Sequence, residues 1–148
     1  MAQSLSHVVI HIIFSTKHRE LVIRAELQPE LFSYLAGTLR AIECPPIQVG
    51  GAEDHVHACL QLSRTMTIAD VVQELKTVSS KWMKTKGVPD FSWQAGYGAF
   101  SVSGSKIDEV VAYIANQEQH HRHLSFQEEY RQFLERHGIE FDERYVWD

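Results

Sequence analysis

The chain has 148 residues, a length that suits one domain and lets folding hide roughly 68–70% of the unfolded surface. Hydrophobic residues make up 44% and charged residues 22%, which excludes a disordered chain, and no apolar run approaches the ~18 residues of a membrane span. Fourteen Lys and Arg against nineteen Asp and Glu leave −5, which argues against a general polyanion binder.

Residues 6–16 are β-branched and apolar and read as a central strand, with Val8, Ile10, Ile12 and Phe14 on one face and His7, Val9, His11 and Ile13 on the other. Leu27, Leu31, Leu35 and Leu39 have helical spacing within 25–42, and Pro29 fits only the first turn, so the helix proper starts near Gln28. Cys44-Pro45-Pro46 ends it. Ile47 to Val49 reads as a short strand, Gly50-Gly51 as a turn, and residues 54–62 as a second clear strand.

Thr67-Ile68-Ala69-Asp70 resembles a capping box with Asp in place of Glu, and it opens a long amphipathic helix. Ile68, Val71, Val72, Leu75, Val78 and Trp82 are its expected buried stripe, and Gly87 with Pro89 stops it. Residues 93–102 suit a strand loosened by glycine. Ser105 to Asp108 caps a helix running to about His121, with Ile107, Val110, Val111 and Ile114 inward. Ser125 to His137 is a last helix, ended by Gly138 and followed by an acidic, aromatic tail.

The order β-α-β-β-α-β-α-α predicts an α+β domain of ferredoxin-like or RRM-like plan, with helices packed on one face of an antiparallel sheet. The reading is a single domain over 1–148, with about 125–148 as its C-terminal helix and tail. From Glu118 onward eight acids face four arginines, so the first 117 residues are almost neutral. The N-terminus lacks the layout of a signal peptide. Cys44 and Cys59 are too few for a disulfide framework or a four-cysteine zinc site. A reducing cytoplasm is the expected address.

Two segments carry candidate chemistry. Along Asp54-His55-Val56-His57-Ala58-Cys59-Leu60-Gln61, alternation puts His55, His57, Cys59 and Gln61 on one face. Two imidazoles at i,i+2 on a strand can reach one metal ion, although nine histidines in a chain of this length also give such a pair by chance, and His121-Arg122-His123 repeats the spacing near a helix end. On the helix after the last strand, Tyr113 and Gln117 lie one turn apart, so hydroxyl and amide reach the same neighbourhood. A tyrosine bordering a buried helix face is also an ordinary packing residue.

Together these segments resemble a family. Glu53-Asp54-His55-Val56-His57 is similar to the His-hydrophobic-His signature of HUH endonucleases. Tyr113-Ile-Ala-Asn-Gln117 followed by His120-His121 resembles the nucleophile helix of single-tyrosine transposases of insertion sequences and their REP-associated relatives. Residues 6–19, 93–102, 126–134 and 137–140 share the family's look in the right order. The resemblance implies His55, His57 and Gln117 as ligands of a divalent metal, and Tyr113 as a nucleophile that joins the 5′ phosphate of single-stranded DNA and frees a 3′ hydroxyl. It implies intertwined homodimers with composite sites, hairpin-bearing DNA ends, and a bacterial cytoplasmic protein held at the nucleoid when on DNA.

A mixed N/O site suits Mn²⁺ better than Mg²⁺, although phosphate-rich substrates commonly bring Mg²⁺; Cys59 on the same face makes Zn²⁺ the competitor. Lys17, Arg19, Lys76, Lys81 and Lys84 are candidates for DNA phosphate contacts, since backbone binding needs fixed positive charge. No general base is assigned from the residues. The alternatives are a replication-initiator or relaxase-type nickase and a domesticated, non-catalytic single-strand nucleic-acid-binding module.

Overall fold

The computed structural model describes residues 2–121 and 123–148. Its centre is a four-stranded antiparallel sheet of β1 (Val9–Ser15), β2 (Pro46–Gly51), β3 (His55–Gln61) and β4 (Gly98–Val102), in the order β2-β3-β1-β4. Helix α1 (Gln28–Ala41) joins β1 to β2, and α2 (Ile68–Thr85) joins β3 to β4. This is the α+β ferredoxin-like arrangement that the element order predicts. Three further helices follow: α3 (Ile107–Ala115), α4 (Gln117–His120) and α5 (Phe126–Arg136).

Strand alternation divides the core in two. Ile10, Ile12 and Phe14 of β1, with Val56, Ala58 and Leu60 of β3, pack under α1 and α2. The opposite face carries Val9, His11 and Ile13 with His55, His57 and Cys59, and it too is covered. Ile114 of α3 packs on Val9 and Cys59, and Phe126, Tyr130 and Leu134 of α5 pack on Ile13 and Phe100. Helices therefore lie on both faces of the sheet, where the sequence pattern predicts one. The difference places the histidines between sheet and helices instead of on an open surface.

Several boundaries shift for local reasons. Gly50 and Gly51 extend β2 by pairing with His57 and Val56, so the turn falls after them. The expected strand at 93–102 shrinks to β4, while Trp93 keeps an isolated bridge to Thr16. On α2 the buried stripe turns toward Ser79 and Met83, leaving Val78 and Trp82 half-buried. Ser79 is selected there because the buried Trp93 Nε1 donates to its hydroxyl at 2.9 Å, an acceptor no valine offers. The last strand is followed by a helix that breaks at Asn116 (φ −104°, ψ 23°), separating α3 from α4.

Gly50 sets how closely α3 approaches the sheet. A Cβ there would stand 2.8 Å from the Ile114 carbonyl oxygen and 2.9 Å from Ile114 Cγ2. Gly50→Ala should therefore lift α3 off β2 and cost about 1–3 kcal/mol, as overpacking does. Denaturant unfolding measures this, and an unchanged midpoint would mean that the α3–β2 spacing is soft.

Candidate active site

Strand β3 fixes the first two side chains. His55 and His57 share its helix-covered face, and each ring is held at Nδ1 by a neighbour. The Nδ1 of His55 lies 2.7 Å from Asp54 Oδ1, and the Nδ1 of His57 lies 2.8 Å from His11 Nε2 across the sheet. Both Nε2 atoms then point toward α5. There the Glu129 carboxylate waits, with Oε1 2.9 Å from His57 Nε2 and 3.4 Å from His55 Nε2. Glu129 is 1% exposed, so its charge is compensated by these imidazoles and not by water.

Helices α3 and α4 supply the rest. The Tyr113 hydroxyl donates to Glu129 Oε2, and its ring lies edge-on to His57 with centroids 5.9 Å apart. Gln117, one turn on and fully buried, places Oε1 3.0 Å from both His55 Nε2 and His121 Nε2, while its amide donates to the Tyr113 carbonyl. His121 Nε2 also lies 3.3 Å from Glu129 Oε2. Four candidate site residues expected from the sequence, Tyr113, His55, His57 and Gln117, thus meet in one place within a single chain.

The sequence reading missed Glu129 and left His121 unassigned. A signal for Glu129 existed: it shares the buried stripe of α5 with Phe126, Tyr130 and Leu134, and a carboxylate on such a stripe is there for a partner. In the second His-x-His, Arg122 lies outside the described residues, while His121 joins the cluster.

Three of the five basic residues offered for DNA contacts lie away from the cluster. Lys76, Lys81 and Lys84 sit on α2, across the sheet from the histidines. Lys76 is also occupied, since its ammonium donates to the carbonyls of Gln94, Ala95 and Gly96 at 2.8, 3.2 and 2.7 Å, and burial lowers its pKa to about 8. It holds the loop leading into β4. Lys17 and Arg19 lie in a 3₁₀ turn at Lys17–Arg19 after β1, where the Arg19 guanidinium rests 5.7 Å from the centroid of the Trp147 ring.

The electrostatics follow from burial opposed by pairing. For His55, burial disfavours the charged ring, but hydrogen bonds to Asp54 and Glu129 and their charges win, raising its pKa to about 9. For His57 burial prevails over Glu129, and the pKa falls to about 4. Burial also keeps His11 neutral. The carboxyl of Glu129 would be raised by burial, but hydrogen bonds from His121, His55 and His57 bring it far below the usual range. Burial, then the adjacent Glu129 charge, raises the Tyr113 phenol far above its usual value, so it rests as a neutral donor.

These shifts set a pH dependence for the metal-free fold. His57, lowered from 6.5 to about 4, costs stability as pH falls below 6.5, because only the unfolded chain then takes the proton. His55, raised to about 9, contributes fully below 6.5 and loses that contribution as pH rises through 9. In chelator, the thermal midpoint should peak near pH 6.5; a steady rise from pH 6.5 to 9 would contradict the assignment.

The donor set fits a divalent cation. Atoms of His55, His121 and Glu129 all lie within 4.8 Å of one another, and the Nε2 of His57 and Oε1 of Gln117 adjoin them. Imidazole nitrogens with carboxylate and amide oxygens make a borderline site, and the Asp54 and His11 contacts at Nδ1 orient the two rings. Cys59 stays outside this set: it packs with Val9 and Ile114, and burial pushes its thiol up to about 11. That removes the sequence argument for zinc.

Comparison with known proteins gives a family and a fold. The family model described as "Transposase IS200 like" matches residues 4–117. Among solved structures, a candidate transposase from Deinococcus radiodurans R1 is 23% identical, with a TM-score of 0.64, over 79% of this chain and 98% of that one. A REP-associated tyrosine transposase bound to a REP hairpin is 12% identical, with a TM-score of 0.57, over 82% of this chain and 74% of that one. At these identities the two structures show a shared fold. No curated protein matches. Among the described residues, no helix is long and apolar enough to cross a membrane.

Proposed function

The chain belongs to the IS200-like transposase family, and from that premise we propose that it cuts and rejoins single-stranded DNA through a covalent tyrosine intermediate. One observation carries the reading: the hydroxyl of Tyr113 on α3 and the Nε2 atoms of His55 and His57 on β3 converge on the same carboxylate, Glu129 of α5.

The Tyr113 oxygen attacks the phosphorus of a strand placed over the cluster. An O–P bond forms as the bond to the 3′ oxygen breaks, leaving a 5′-phosphotyrosine and a free 3′ hydroxyl. Exchange of one phosphodiester for another conserves bond energy, so rejoining needs no nucleotide. The phenol is a poor nucleophile while protonated, so its proton, held toward Glu129 Oε2 in the resting site, must leave as the oxygen attacks. His55, His57 and Gln117, with Glu129 and His121, would hold a divalent ion, Mn²⁺ or Mg²⁺. Such an ion supplies positive charge for the oxygens of the scissile phosphate. Asp54 and His11 keep the two rings turned inward.

Tyr113 stands beside the histidines of its own chain, which supports cleavage within one subunit; a homodimer remains part of the proposal only as an assembly that could bring two DNA ends together. The REP hairpin on the structural neighbour supports hairpin-bearing DNA as the substrate. The test mixes the protein with hairpin-containing single-stranded DNA and Mn²⁺ or Mg²⁺. A protein–DNA adduct stable to denaturant is expected. Binding without any adduct would favour the non-catalytic nucleic-acid-binding module.

A further inference from the structure

A cavity of about 610 Å³ opens beside the catalytic cluster, within the ~300–1,000 Å³ range of sites that hold a small organic group. Two of its walls belong to the cluster itself. His121 has its Nε2 on Gln117 and Glu129, and Asp54 holds His55. Phe32, half-buried, gives the cavity aromatic surface, while Glu53, Asp54 and Glu118 give it carboxylates. Among the described residues no lysine or arginine lines it.

That lining is wrong for a phosphate, which three carboxylates repel. It suits a flat, uncharged group that stacks on an aromatic face and donates hydrogen bonds. Resting on the reading of Tyr113 and the histidines as a DNA-cleaving centre, we infer that the cavity receives one unpaired nucleobase next to the scissile phosphate and selects bases carrying an exocyclic amino group. A strand whose phosphate lies at the cluster has its neighbouring bases within one nucleotide of His121. Stacking supplies affinity whatever the base. The carboxylates supply the choice: cytosine, adenine and guanine each present an exocyclic NH₂, whereas thymine has none and flanks its single ring N–H with two carbonyl oxygens that carboxylates repel.

The experiment uses hairpin oligonucleotides in which each unpaired nucleotide flanking the cut is replaced in turn by thymidine or by an abasic residue. Affinity is measured in Mn²⁺ with the full chain. At one position both replacements should weaken binding, by about 5- to 150-fold for the loss of a good base contact. Ala25 is exposed and lines the cavity, so Ala25→Trp fills it without disturbing the core. This variant should reduce the difference between oligonucleotides to within twofold. Glu118→Gln, also at an exposed residue, should weaken the preference for amino-bearing bases while leaving the abasic penalty.

Equal affinity for every replacement, or full discrimination by Ala25→Trp, would overturn the base pocket while leaving cleavage by Tyr113 intact. If the wild-type protein neither binds nor cuts any such oligonucleotide, the DNA-cleaving reading falls, and the pocket with it.

Discussion

Tyr113→Phe should reduce DNA cleavage by on the order of 10⁶-fold, the scale seen when an enzyme loses its nucleophile, with binding and folding close to wild type. Phenylalanine keeps the ring contacts with His57, His120 and Phe133, whose centroids lie 5.9, 4.5 and 5.6 Å away. It removes the oxygen that would join phosphorus and the hydroxyl proton given to Glu129, whose carboxylate retains three imidazole partners. Single-turnover cleavage in Mn²⁺ reads the rate, and circular dichroism reads the fold. Residual cleavage within tenfold of wild type would mean that another group attacks.

Glu129→Gln should weaken Mn²⁺ binding by about 10- to 100-fold or more, measured by calorimetric titration. The substitution keeps the size and one carbonyl oxygen but removes the charge that His55, His57 and His121 share. The result separates two ligand sets. If His55, His57 and Gln117 alone hold the ion, as the resemblance implies, the affinity should hardly change. If α5 contributes the charge, it should collapse. Glu129→Ala, which deletes the carboxylate altogether, should cost the metal-free fold about 3–5 kcal/mol, because His55 then keeps its proton with only Asp54 to balance it.

The parts of the molecule readable in the sequence are those governed by period and punctuation. The alternation of β1 and β3 identified the face shared by His55 and His57, and Pro29 marked the start of α1 where the structure has it. Tyr113 and Gln117 were legible as a pair because i,i+4 geometry is local. Packing against distant partners was not legible. Ser79 replaces Val78 in the buried stripe only because the Trp93 indole arrives from another segment. The second helical layer depends on Gly50 and Gly98 leaving room for Ile114 and Tyr130, a demand that appears only once the elements meet.

Glu129 is the instructive case, because it lies outside the stretch matched by the family model, on a helix read simply as C-terminal. Its meaning comes from the charge balance of a buried cluster, and no spacing rule reaches sixteen residues back to Tyr113 and seventy-two to His57. The candidate phosphate-binding lysines illustrate the converse. Charge is visible in a sequence, but the sheet face a lysine ends on is not, and Lys76 turned out to serve three backbone carbonyls.

The claim on which the rest depends is that the phenol oxygen at position 113 becomes bonded to DNA phosphorus. It is tested most directly by incubating wild-type protein with hairpin-bearing single-stranded DNA and Mn²⁺, digesting the denatured adduct with nuclease and protease, and locating the nucleotide-bearing residue by mass spectrometry. A single modified peptide carrying the nucleotide on Tyr113 is the expected result. A nucleotide found on Tyr97, Tyr130 or any other residue, or cleaved DNA with no protein attached, would contradict it.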